Sequence, residues 1–234
     1  MLERLNTALR RFEARLRDRY GSDISTPAAR RAAWWHFQLI DHAFLRVFWT
    51  NLDTVAEGVY RSNQPSPARL ERYRDMGIRT VINLRGAARS SPILFEAEAC
   101  ARLGLRFVSV EGFSARRLPE LAAIRALEAL FRSLPRPFVM HCKSGSDRAG
   151  LASALYLLLI EGRPAAEAAR QLHWRYIHLK RTDTGVLDHM LRVYAREGEA
   201  RGIAFTDWLE TGYDPAAITR SFEDWRLGRA PREG

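Results

Sequence analysis

The chain has 234 residues, 47% of them hydrophobic, which suits one well-cored domain with an extension and excludes a disordered chain. Its 37 lysines and arginines against 27 acids give a formal charge of +10, favouring anionic partners without choosing among phosphorylated molecules, nucleic acid and an acidic membrane surface. Only Cys100 and Cys142 are cysteines, so a disulfide framework is excluded, no C-x-x-C pair suggests zinc, and a reducing, cytoplasmic setting is expected.

Residues 2–16 place Leu2, Leu5, Leu9, Phe12 and Leu16 at steps of three and four, one stripe of a helix. The segment has no apolar signal core, and Glu3, Glu13 and Asp18 oppose a transit peptide. After the break GSDISTP, a second helix is expected from Pro27 to about Trp49, with Trp34, Phe37, Ile40, Phe44 and Val47 along its apolar side. His36, Asp41, His42 and Arg46 interrupt it too often for a membrane span. Two readings of residues 1–50 stand. They pack on the domain, or they form a peripheral membrane contact in which Arg30, Arg31 and Arg46 accompany the aromatic side chains.

From there strands and helices alternate. GVY (58–60), RTVINLR (79–85), RFVSV (106–110) and PFVMH (137–141) read as strands. Residues 92–103 read as a helix ending at Gly104, and residues 119–134 as one with Leu121, Ile124, Leu127 and Phe131 inward. AGLASALYLLLIEG is apolar all round and reads as a buried helix. Two more are expected near 164–176 and 184–196, the latter capped at Thr182–Thr184 with Leu187, Leu191 and Tyr194 inward. The expected fold is α/β, a mostly parallel central sheet flanked by helices, with an N-terminal helical extension. Its expected units are an N-terminal helical extension over 1–50, a main α/β domain over 51–200, and a helical tail over 201–234.

The stretch HCKSGSDR (141–148) falls between a strand's carboxyl end and a helix's amino end, where open α/β sheets bind ligands. Unpaired amides and the helix dipole make such a turn an anion cradle, and Gly145 permits the backbone angles it needs. The same surroundings favour a thiolate at Cys142, and Arg148 offers a planar fork for two phosphate oxygens. His141, Cys142, Gly145 and Arg148 together resemble H-C-x-x-G-x-x-R, the signature loop of the protein tyrosine phosphatase superfamily. GVYRSNQPS followed by GIRTVINLRG resembles the opening of its small dual-specificity branch, especially bacterial and atypical members. The resemblance spans about residues 55–195.

That resemblance implies a nucleophilic Cys142, with Arg148 and the amides of Lys143, Ser144, Gly145, Ser146, Asp147 and Arg148 holding the phosphoryl group. His141 would position the loop, and no metal or cofactor is implied. Two departures matter. The segment SVEGFSARRLPE, where the superfamily usually carries its acidic aspartate, holds only Glu111 and Glu120, and Glu111 resembles a loop-shaping residue of the atypical plant and fungal branch. Asp147 is the other candidate acid, as in myotubularin-type and bacterial lipid-active phosphatases with G-x-D-R. Alternatively it forms a salt bridge with Arg148 or a neighbouring arginine. Ala149 stands where the family commonly has serine or threonine, which puts rapid release of a phosphoenzyme in question.

Arg116, Arg117, Lys143, Lys180 and Arg181 either line a basic mouth or are solvated charges, and Cys100 reads as core filler. The leading expectation is a metal-independent cysteine phosphatase preferring a polyanionic non-protein substrate, an inositol phosphate or a phospholipid headgroup. Phosphoproteins are the alternative substrate, and a phosphate-binding regulator with little turnover is the competing class. No nucleic-acid motif accompanies the charge, so no nucleic-acid partner is expected.

Overall fold

The computed structural model describes residues 15–16 and 18–229. Most of the Leu2-to-Leu16 stripe therefore lies outside the described residues. Helix α1 (Pro27–Trp35) begins where expected: Thr26 accepts the Ala29 amide at 3.1 Å and Pro27 opens the first turn. It does not continue to Trp49. The backbone widens into a π-turn over His36–Ile40, turns left-handed at His42 (φ 56°) and resumes as a 3-10 turn over Ala43–Val47.

Asp41 supplies the reason for this departure. Its carboxylate is buried, and an unpaired buried charge is costly. The break lets Arg46 reach back to the Asp41 carboxylate at 2.7 Å and to its main-chain oxygen at 2.8 Å. Arg85 closes on the same carboxylate at 2.6 Å and Lys143 at 3.5 Å. Burial alone would raise the Asp41 pKa, but these three cations outweigh it and bring it to about 2. Local helix propensity loses here to a tertiary ion cluster.

Five strands form one sheet in the order β1 (Asp53–Ala56), β2 (Val59–Asn63), β5 (Phe138–Cys142), β3 (Thr80–Asn83), β4 (Arg106–Ser109). Only the β1–β2 hairpin is antiparallel; β2–β5, β3–β5 and β3–β4 are parallel. The sheet is thus mostly parallel, as its alternating sequence implies. Strand β1 was not anticipated, since DTVA is short and its pairing is interrupted by a bulge.

Helices α2 (Pro67–Asp75) and α3 (Ser91–Leu103) close a small core of Leu70, Tyr73, Ile78, Val81, Cys100 and Val139. Cys100 is fully buried and its thiol is pushed up to about 12 by burial, which fits core filler. The larger core packs around α4 (Leu121–Ser133) and α5 (Asp147–Leu159), whose residues from Ala149 onward are all buried.

The helix expected over 164–176 is fragmented. It becomes α6 (Ala165–Ala168), a 3-10 turn over Ala169–Gln171, and another over Trp174–Tyr176. The Gln171 carbonyl is taken by Arg61 at 2.5 Å instead of by the next helical turn. Helix α7 (Val186–Glu197) buries Leu187, Leu191 and Tyr194 as expected. Helices α8 (Phe205–Thr211) and α9 (Pro215–Arg226) add Phe205, Trp208, Ile218 and Phe222 to the larger core.

Candidate active site

Cys142 ends β5, the central strand, and Asp147 begins α5 four residues after Lys143. Gly145 at the turn has φ 74°, and a Cβ there would lie 2.6 Å from the Asn63 amide nitrogen and 2.8 Å from the Ser62 carbonyl. Both obstacles are backbone, so glycine is required.

Arg61, fully buried on β2, shapes the loop from beneath. It donates to the carbonyls of Gly145 at 2.5 Å and Ser146 at 3.3 Å, and to the Gln171 side chain at 2.9 Å. Its guanidinium also lies 3.7 Å from the Tyr176 ring centre. Burial pushes it down to about 10, so it stays charged at neutral pH. With those carbonyls drawn inward, the amides of Ser144, Gly145 and Ser146 have no backbone partner among the described residues. They remain for an anion, at the positive end of α5.

Cys142 is buried at the floor, and Arg148 donates to the Leu84 carbonyl at 3.2 Å, anchoring its guanidinium at the end of β3. His141 is wholly buried, its Nε2 2.8 Å from Glu96 Oε1 but without hydrogen-bond alignment. Glu96 Oε2 accepts from Gln64 at 3.0 Å, and the Gln64 amide donates to the Lys143 carbonyl at 3.4 Å. The Ser144 carbonyl accepts from Asn51 at 2.8 Å. Both termini of the loop are thereby fixed by neighbouring elements.

Asp147 pairs with a histidine and not with an arginine. Its Oδ1 lies 2.7 Å from His178 Nδ1, and His178 Nε2 lies 2.5 Å from Asp188 Oδ2. Lys180 meets the other Asp188 oxygen at 3.2 Å. Ser146 Oγ also approaches Asp147 Oδ1, at 3.4 Å, leaving Oδ2 unengaged among the described residues. Burial would push the His178 pKa down, but the hydrogen bonds and charges of Asp147 and Asp188 outweigh it and lift it to about 9.

A raised histidine pKa stabilises the fold fully below its ordinary value of 6.5, and the gain disappears as pH rises through about 9. The wild-type chain should therefore lose on the order of 2–3 kcal/mol more than His178→Gln between those limits. Urea denaturation at stepped pH measures this difference, and parallel curves for the two proteins would contradict it.

The remaining candidates lie further from the chemistry. Arg116, Arg117 and Glu111 are exposed after β4, and no hydrogen bond or ion pair joins them to residues 142–148 among the described residues. Lys143 leans on Asp41. Ala149 faces the core, so the familiar hydroxyl is replaced by an apolar contact. Sequence reasoning missed Arg61, Glu96, His178 and Asp188. The first had a signal, an arginine inside a strand leading into SNQP; the others are joined to the loop only by folding.

No curated protein matches the chain in sequence. Among solved structures it is similar to TpbA of P. aeruginosa, at 20% identity over 74% of this chain and 91% of that one, with a TM-score of 0.48. It is also similar to the core catalytic domain of the PP-IP phosphatase SIW14 of S. cerevisiae, at 15% identity over 63% and 92%, with a TM-score of 0.47. PTPMT1 matches at 17% identity over 64% and 98%, also with a TM-score of 0.47. A match to the tyrosine phosphatase family covers residues 50–169, which is 120 of the 234. Because that span takes in all five strands, the loop and the whole of α5, the chain belongs to the tyrosine phosphatase family and is a phosphatase.

Proposed function

We propose that the chain hydrolyses phosphate monoesters through a cysteinyl-phosphate. The Cys142 sulfur attacks phosphorus, forming the S–P bond as the P–O bond to the leaving alcohol breaks. Arg148 and the amides of residues 143–148 hold the three non-bridging oxygens and the charge they carry in the transition state. Asp147 gives its proton to the leaving oxygen, then as a carboxylate takes one from the water that splits the S–P bond. His141 positions the loop through its contact with Glu96.

The observation that carries this reading is the folded loop itself. Gly145 is left-handed, Arg61 binds the carbonyls from behind, Cys142 is buried at the end of β5, and Arg148 donates to the Leu84 carbonyl. For Asp147 the support is its place at the start of α5, inside the phosphate loop, with Oδ2 unengaged among the described residues. No acid need then come from the loop after β4, where Glu111 stays exposed.

For the substrate we infer a polyanionic non-protein molecule, an inositol phosphate or a phospholipid headgroup. The net charge of +10 and the exposed arginines favour it. Phosphate release should be compared across inositol polyphosphates, soluble short-chain phosphatidylglycerol phosphate and phosphotyrosine peptides. The expected result is a kcat/KM at least about tenfold higher on one of the first two, a gap of one to two favourable charge contacts. A phosphopeptide preferred by the same margin would reverse the assignment.

A further inference from the structure

Among the described residues, most of the exposed large apolar side chains fall in two short stretches. Trp34, Trp35, Leu39, Phe44, Val47 and Phe48 all belong to the broken helix, with Val47 78% and Phe48 82% exposed. A second group, Trp174, Ile177 and Leu179, follows α6, with Trp174 74% exposed. Asn51 joins the two, donating to the Tyr176 carbonyl at 3.0 Å and to the Ser144 carbonyl of the phosphate loop at 2.8 Å. Single exposed apolar residues are ordinary, whereas clusters of this kind mark contact surfaces.

Charge identifies what fits. A cavity of about 810 Å³ opens between α1 and α2, walled by Trp34, Phe37 and Phe95 and lined by Arg31, Arg69 and Arg72. Arg30 and Arg46 in the same lining are engaged by Glu98 and Asp41. No carboxylate pairs with Arg31, Arg69 or Arg72 among the described residues, and Arg69 Nη1 is buried without a partner. Arginines that lack counter-charges beside exposed tryptophan and phenylalanine suit the headgroup–acyl boundary of an anionic bilayer. A second copy would bring the same positive charge against them.

We propose that residues 34–48 and 174–179 form one docking face for an anionic lipid bilayer, with the arginine-lined cavity taking a lipid phosphate. The phosphate loop then opens toward the membrane surface. This rests on the phosphatase reading only for its purpose, since binding to vesicles needs no turnover.

The test is co-sedimentation of the full chain with vesicles of phosphatidylcholine, alone or mixed with phosphatidylglycerol. Binding should be at least about tenfold tighter to the mixed vesicles and should weaken with salt. Val47→Asp with Phe48→Asp, and separately Arg31→Glu with Arg72→Glu, should each reduce it by about tenfold or more. The Val47–Phe48 pair should leave hydrolysis of soluble p-nitrophenyl phosphate intact, which verifies folding. Cys142→Ser should bind vesicles like the wild type, so failure of the chemistry and failure of docking are separable.

Unchanged vesicle binding by the Val47–Phe48 pair would overturn the proposal. So would loss of binding on deleting residues 1–14 while that pair still binds. A concentration-dependent dimer that the pair dissolves, with no vesicle binding by the wild type, would assign the face to a second copy instead.

Discussion

Replacing Cys142 by serine is expected to lower phosphate release from p-nitrophenyl phosphate by at least about 10³-fold, because an alcohol at that position is a far weaker nucleophile. The exchange conserves shape at a buried site, so thermal unfolding should move little. Arg148→Lys should cost about 10²–10³-fold, since an ammonium cannot supply the paired donors of a guanidinium. Phosphate release and unfolding measured on the same preparations check both. Equal release by wild type and Cys142→Ser would remove the proposed chemistry and leave a phosphate-binding role.

The second large effect concerns the acid. Asp147→Asn should reduce turnover of an alkyl phosphate by about 10²–10⁴-fold yet spare p-nitrophenyl phosphate, whose leaving group needs no proton. Equal loss on both substrates would make Asp147 a loop-positioning residue instead. His178→Gln provides the companion measurement. It removes the group that fixes Oδ1 at 2.7 Å and links it to Asp188. The alkyl-phosphate rate should fall, its pH profile should shift, and the p-nitrophenyl phosphate rate should change less.

The sheet was legible in the sequence because its strands are short, β-branched and separated by helical patterns. Residues 80–83, 106–109 and 138–142 fall within or next to the stretches read as strands. The buried α5 was legible for a similar reason, being apolar on every side. The phosphate loop was visible because its residues are contiguous and their spacing is chemically restrictive. The N-terminal helix was misread over Asp41 and His42, since periodicity records which side chains are apolar and not which carboxylate needs three cations. The fragmentation after α6 escaped for a like reason: a buried arginine 110 residues away takes a carbonyl that a helix would have used.

The sequence by itself determined the alternation of strands and helices and the chemistry available between β5 and α5. These depend on neighbouring residues and on periods of two and 3.6, which survive in a linear text. Only the tertiary structure decided what surrounds that chemistry. It placed Arg61 beneath the loop, gave Asp147 to a histidine held in turn by Asp188 instead of to an arginine, and tied the segment after the broken helix to the phosphate loop through Asn51. Such pairings form because a buried charge must find a partner wherever the packed chain brings one within reach.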